Sequence, residues 1–278
     1  MRTIIGVAAV ILLASNLMAA PPDGPNLAVP DTLEAGKWCL QSDFRFFEGD
    51  NTTSSFKLTY GTADNSETSL GFVTFDNTGP DPIAGALRRS ELDMLTFSYR
   101  LIGQEAEGSR WGIGGQFDLE IPFTWRGTNL ATGARAETDD SILAISLLLD
   151  HRACDKLALR TQPKLVFFRD TIPDSLGGDT KSFGTVLAVT SGGTLELSDR
   201  WWLFADWTNV WAGDNAISQR SGLPADRTLW TAGARLQSPD GTKWIELYMT
   251  NAAGLSTATS VIGAPEDEAI SLRAGIAF

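Results

Sequence analysis

The sequence predicts an all-β chain: a closed antiparallel transmembrane β-barrel of about twelve strands, with ten or fourteen as the neighbouring counts. Three observations lead there. The stretch Trp111–Trp125 alternates apolar and polar residues throughout. Similar segments recur along the chain. The chain begins with a charged, then apolar leader and ends on an aromatic residue.

In "WGIGGQFDLEIPFTW" one face carries Trp111, Ile113, Gly115, Phe117, Leu119, Ile121, Phe123 and Trp125; the other carries Gly112, Gly114, Gln116, Asp118, Glu120, Pro122 and Thr124. Side chains on a strand point alternately to its two faces, so this is a long strand with one apolar and one polar face. Such a length rises roughly 46 Å, or about 35 Å along the membrane normal at a tilt near 40°. It fits a lipid-facing band about 25 Å tall with an aromatic residue at each border.

Arg2, an apolar run from Ile4 to Leu13 and the small-residue exit Ala19–Ala20 read as a cleaved secretory signal over residues 1–20. The apolar run is too short for a spanning helix, which needs about 20 residues. Residues 21–36 are Pro-rich and acidic and read as a mobile periplasmic lead-in to a barrel covering 37–278. At the other end Ile270, Leu272, Ala274, Ile276 and Phe278 share a face. With the signal and the repeated amphipathic strands, this terminus resembles the general class of Gram-negative outer-membrane β-barrels, porin-like in form. The resemblance implies an outer-membrane location and a C-terminal strand recognised by the barrel-assembly machinery. It also implies contact with lipid and lipopolysaccharide.

The chain has 278 residues and a net charge of −12; loss of Arg2 leaves 21 basic against 34 acidic residues, or −13. That argues against nucleic acid, whose binders need a basic face. The nine Trp suit membrane interfaces, with Trp38, Trp111, Trp125, Trp201, Trp207 and Trp230 as the aromatic girdle. Cys39 and Cys154, the two cysteines, fall on opposite sides of the expected barrel, which argues against a bridge.

The strands follow in order. Strand 1 (about 37–48) turns Trp38, Leu40, Phe44 and Phe46 outward and Gln41, Asp43 and Arg45 inward. Strand 2 (about 54–62) has Phe56, Leu58 and Tyr60 out and Lys57 and Thr59 in. Strand 3 (about 68–76) is ambiguous, because Leu70, Phe72, Val73 and Phe75 occupy both faces. Strand 4 (about 92–102) turns Leu95, Phe97, Tyr99 and Leu101 out, and Thr96, Ser98 and Arg100 in. Strand 5 is the Trp111–Trp125 stretch. Strand 6 (about 140–151) has Leu143, Ile145, Leu147 and Leu149 out. Strand 7 (about 157–169) has Leu157, Leu159, Leu165 and Phe167 out, with Arg160, Gln162 and Lys164 in. Strand 8 (about 182–197) places Leu187, Val189, Leu195 and Leu197 out and Thr194 and Glu196 in. Strand 9 (about 200–212) places Trp201, Leu203, Ala205 and Trp207 out and Asp206 and Thr208 in. Strand 10 (about 227–237) has Trp230, Ala232, Ala234 and Leu236 out and Thr231 and Arg235 in. Strand 11 (about 242–252) has Ile245, Leu247 and Met249 out and Glu246 in. The last strand ends at Phe278, with Arg273 inward.

Short turns and longer loops alternate, the pattern of periplasmic turns and extracellular loops. The stretch 253–267 reads as one such outer loop. Pro122 and Pro163 each remove a ladder hydrogen bond and predict local bulges.

The inward charges carry the candidate chemistry. Arg45, Lys57, Arg100, Arg160, Lys164, Arg235 and Arg273 stand against Asp43, Asp118, Glu120, Glu196, Asp206 and Glu246, with Gln116 among them. They fit either a constriction that passes small polar solutes or a ladder of salt bridges that fills the interior. The two readings are compatible. The expected function is passive passage of small polar solutes; a plugged structural or surface-loop barrel is the alternative. The sole histidine, His151, faces outward with no serine placed beside it, so an enzyme is not expected. No metal-ligand spacing occurs, and no cofactor is expected.

Overall fold

The computed structural model describes residues 33–47, 51–80, 87–103, 110–129, 133, 135–137, 141–168, 183–217, 224–254, 256, 258–263 and 268–278. Twelve strands form the barrel: β1 Trp38–Phe47, β2 Thr52–Ala63, β3 Ser66–Pro80, β4 Leu87–Ile102, β5 Trp111–Asn129 and β6 Ile142–Cys154. They continue with β7 Leu157–Phe167, β8 Thr185–Ser198, β9 Trp201–Ala212, β10 Leu229–Gln237, β11 Lys243–Thr250 and β12 Ala269–Ala277. Each strand pairs antiparallel with its sequence neighbours, and β12 pairs with β1 to close the cylinder. The seam is finished by Trp38 and Phe278, whose backbone N–H groups each donate to the other's carbonyl at 2.8 Å. A short strand, Arg135–Glu137, extends the outer end of β5, and Ala216–Ile217 pairs with Pro224–Ala225.

The facing follows the period-2 pattern. Ile113, Phe117, Ile145, Leu147, Leu203, Leu247 and Ile270 are exposed, while Arg45, Glu120, Lys164 and Glu246 are buried. A water-soluble sandwich would do the reverse; here apolar side chains coat the outside, as lipid requires. On this geometry the unboiled protein migrates differently from the boiled protein on a denaturing gel. Identical migration would contradict the closed barrel.

Strand 3 loses its ambiguity. Leu70 and Phe72 are on the outer face, whereas Val73 and Phe75 are buried in the interior, with Leu92 and Met94 of β4 beside them. The alternation of β5 is interrupted near its outer end. Pro122 pairs with Met94 and Thr124 with Asp93, so Phe123 is the extra residue of a bulge. Pro122 thus has the expected bulge beside it, but the unbroken alternation through Trp125 does not hold. Trp125 pairs with Leu92, and its side chain lies outside the described residues.

Pro163 causes no bulge. Its register with β8 is continuous, and pairing with β6 lapses at Leu147 and Leu148 and resumes unshifted. The missing donor is absorbed by that gap in the ladder. Connection length also sorts the two ends less cleanly than expected. Only residues 48–51 join β1 to β2 at the outer end, while residues 103–110 join β4 to β5 at the periplasmic end. Among the tight turns, that between β10 and β11 puts Gly241 at φ 68, a conformation that suits glycine. There Ser238 Oγ and Thr242 N donate to Asp240, holding its carboxyl below the usual range.

The predicted lead-in is anchored at its end. Gly36 N donates to Gly61 O at 2.8 Å, and Leu33, buried at the periplasmic mouth, donates its N–H to Glu67 Oε2 at 3.0 Å. The remainder of that segment, the signal included, lies outside the described residues. Cys39 in β1 and Cys154 at the end of β6 are not bridged.

Candidate functional site: the barrel interior and its inward loop

The interior has a polar zone towards the periplasm and an apolar zone towards the outer end. In the polar zone, charges from adjacent strands meet in register, because paired residues of an antiparallel ladder share a face. Asp43, Arg273 and Glu246 are paired across β1, β12 and β11, and Glu246 with Arg235 across to β10. Glu246 accepts from Arg273 Nε at 2.5 Å and from Arg235, with both guanidinium carbons over the Trp244 ring at 5.3 and 4.4 Å. Tyr248 donates its hydroxyl to the Asp43 carboxylate at 2.7 Å and accepts from Arg45 Nε at 3.4 Å. Across the barrel Arg100 bridges Glu67 at 3.1 Å and Gln116 at 3.0 Å, and Gln116 donates to Asp118 at 2.9 Å. Arg160 pairs with Asp150 at 2.9 Å. Asp206 and Asp118 lie within Coulombic reach of Lys164.

Of the charged candidates, only Lys57 and Glu196 are partly exposed; Arg45, Arg100, Asp118, Glu120, Arg160, Lys164, Asp206, Arg235, Glu246 and Arg273 are buried, as is Gln116. All of them point inward, but as separate clusters rather than one ring.

The apolar zone was not foreseen. The described residues between 251 and 263, expected as the end of strand 11 to 252 and an outer loop from 253, turn into the barrel between β11 and β12. Ala252, Ala253, Ala258, Thr259, Ser260, Val261 and Ile262 are all buried, the last five at 0% exposure. Ala253, Ala258, Val261 and Ile262 pack in one cluster with Val73, Phe75, Leu92, Met94, Ile142, Ala144, Val166, Val186 and Ala188 of the wall. The loop closes on itself through the bridge of Ala252 with Gly263 and one turn of 3₁₀ helix, Thr259–Val261.

Wall residues hold it. Arg45 Nη1 donates to Ala252 O at 2.7 Å, Lys164 Nζ to Ser260 Oγ at 2.9 Å, and Asn215 Nδ2 to Val261 O at 2.8 Å. Glu120 Oε1 accepts from Ala258 N at 3.2 Å. Three candidates picked as solute-facing charges therefore grip the protein's own loop. The signal that could have revealed this is compositional: residues 251–265 carry no charge and include Leu255, Val261 and Ile262.

A polar interior inside an apolar exterior decides the fold type. The fold is that of an outer-membrane β-barrel. An outer membrane channel from Pseudomonas putida F1 superposes with a TM-score of 0.61 at 15% identity, over 90% of this chain and 98% of that one. The NanC porin superposes with a TM-score of 0.51 at 9% identity, over 87% and 98%. At these identities the likeness is one of fold. No protein-family model and no curated protein matches the sequence.

The girdle residues of the barrel lie as follows. Trp38, Trp111 and Trp201 stand exposed at the periplasmic ends of their strands, and Trp207 pairs with the half-buried Trp230 towards the outer end. Trp211, not singled out in the sequence, is exposed beyond them, whereas Trp202 and Trp244 point inward. Not every Trp is therefore interfacial. His151 faces outward with its ring 4.2 Å from that of Trp111. In the terminal strand Ile270 and Phe278 are exposed and Leu272 and Ala274 half-buried, while Ile276 on the same face is buried among its neighbours. Among the described residues no group of three or more His, Cys, Asp or Glu is placed to hold a metal ion.

Proposed function

We propose that the protein is an outer-membrane channel for the passive passage of small polar solutes, and that residues 251–263 form a gate that must leave the barrel for passage. The observation that carries this reading is the contrast between a wall closed by a continuous backbone hydrogen-bond ladder and a loop that lies inside it but outside that ladder. The fold is shared with a known outer membrane channel, and between its ends, where Asn251 N donates to Trp230 O and Gly263 N to Asn215 O, the loop is held by side-chain hydrogen bonds and packing. The lumen charges would then set selectivity, with Arg100 and Glu120 foremost. Near balance of sign favours neither anions nor cations.

Residues 1–20 serve as the export signal, 21–36 as a periplasmic lead-in, and Ile270, Leu272, Ala274, Ile276 and Phe278 as the strand the barrel-assembly machinery reads. Lipid and lipopolysaccharide surround the girdle. Catalysis forms no part of this reading; the His151 ring packs against that of Trp111 at an interplanar angle of 30°, where a membrane-interface contact accounts for it.

Planar-bilayer recording tests the proposal. Conductance steps are expected, and their reversal potential shifts in Arg100→Ala. Absence of steps at every salt concentration and pH would favour the second reading, a permanently plugged structural barrel. The apolar cluster around Val261 and Ile262 is what speaks for that alternative.

A further inference from the structure

We propose that a cavity beneath the loop binds one compact cationic group, a primary ammonium or a monovalent metal ion, between the carboxyls of Asp118 and Glu120. The cavity measures about 50 Å³, and its lining includes Lys57, Glu67, Ser98, Arg100, Asp118 and Glu120. Both carboxyls are buried, Asp118 at 2% exposure and Glu120 at 0%. One oxygen of each is satisfied. Asp118 Oδ1 accepts from Ser98 Oγ at 2.5 Å and Gln116 Nε2 at 2.9 Å, and Glu120 Oε1 accepts from Ala258 N. The other two, Asp118 Oδ2 and Glu120 Oε2, are shielded from solvent and have no donor among the described residues. Leaving a buried acceptor unpaired is unfavourable, and more so for a charged one.

The spacing suits a single occupant. Residues i and i+2 on one strand face are about 6.6 Å apart, and one ammonium donating at about 2.8 Å to each side spans roughly 5.6 Å. The volume admits such a group with room for about two or three waters. Of the nearby cations, Arg100 is engaged with Glu67 and Gln116 and Lys164 with Ser260, while Lys57 is part of the lining itself. This goes beyond passage, since the site is complete in the closed barrel.

The test is the thermal unfolding midpoint of the purified barrel in detergent, in methylammonium, potassium or tetramethylammonium chloride at equal ionic strength. Methylammonium raises the midpoint by several degrees over tetramethylammonium, which has no N–H and is too bulky. Asp118→Asn loses that rise while keeping the heat-shifted gel band; Glu120→Gln serves if that variant fails to fold. An equal rise in potassium assigns the site to a metal ion, and a rise in methylammonium alone assigns it to an ammonium. Equal midpoints in all three salts, or a full rise in the variants, would overturn the proposal.

Discussion

Replacing residues 253–262 by a short Gly-Ser link converts a barrel with rare openings into one that conducts steadily. The magnitude follows from burial. Val261 and Ile262 are wholly buried, and each buried aliphatic side chain of this size contributes about 1.5–3 kcal/mol. Withdrawal of the loop therefore costs roughly 3–6 kcal/mol before the alanines are counted, which holds the open form near or below about 1%. Removing the loop eliminates that term, so open probability rises by about a hundredfold or more in single-channel recording. A milder change has a graded effect: Lys164→Ala removes the grip on Ser260 and raises the opening frequency without changing the size of the fully open step. A loop-deleted barrel that folds, shown by its gel shift, yet never conducts would remove the gate from the account.

Glu246→Ala is expected to prevent or severely weaken folding. Its carboxylate is shared between Arg235 and Arg273, and all three side chains are buried. Losing it leaves two guanidinium groups facing one another in the interior. Breaking a buried pair costs about 3–5 kcal/mol, because the surviving charge is left without its partner. The midpoint of urea unfolding in detergent should fall sharply, or the heat-shifted band should vanish. The outer rim supplies the contrast. Arg126 meets Glu91 at 2.5 Å, a contact as short as that of Arg273 with Glu246, yet both side chains are about half exposed. Glu91→Ala should lower the unfolding free energy by no more than about 1 kcal/mol, with a correspondingly small shift of the midpoint. Equal losses in the two variants would refute burial as the controlling factor.

The interior charges illustrate how far local pattern reaches. That Arg235, Glu246 and Arg273 face inward is legible from alternation alone, since each sits between outward apolar residues. Which acid meets which base is not legible, because it depends on the register between strands that lie far apart in the chain. Asp43 and Tyr248, 205 positions apart, are joined by a hydrogen bond that no local spacing announces. Val73 and Phe75 show the converse case. Strand 3 reads as ambiguous by itself, and its inward apolar residues make sense only once an apolar loop lies against them.

The stretch from Trp111 is where both kinds of information meet. Its alternation as far as Ile121 puts Gln116, Asp118 and Glu120 inside, and the same period elsewhere yields twelve strands, an even number that returns the chain to its starting edge. Those features are local, because a two-residue repeat and its turns are written in consecutive residues. Tertiary structure decided the rest: the bulge at Phe123, the unshifted register around Pro163, and the use of Glu120 and Lys164 to hold a loop instead of facing open water. The physical reason is that a loop has no period, and its position is set by what it can bury. Residues 251–263 found an apolar cavity at the outer end of the barrel, made by side chains from five strands that only the closed sheet brings together.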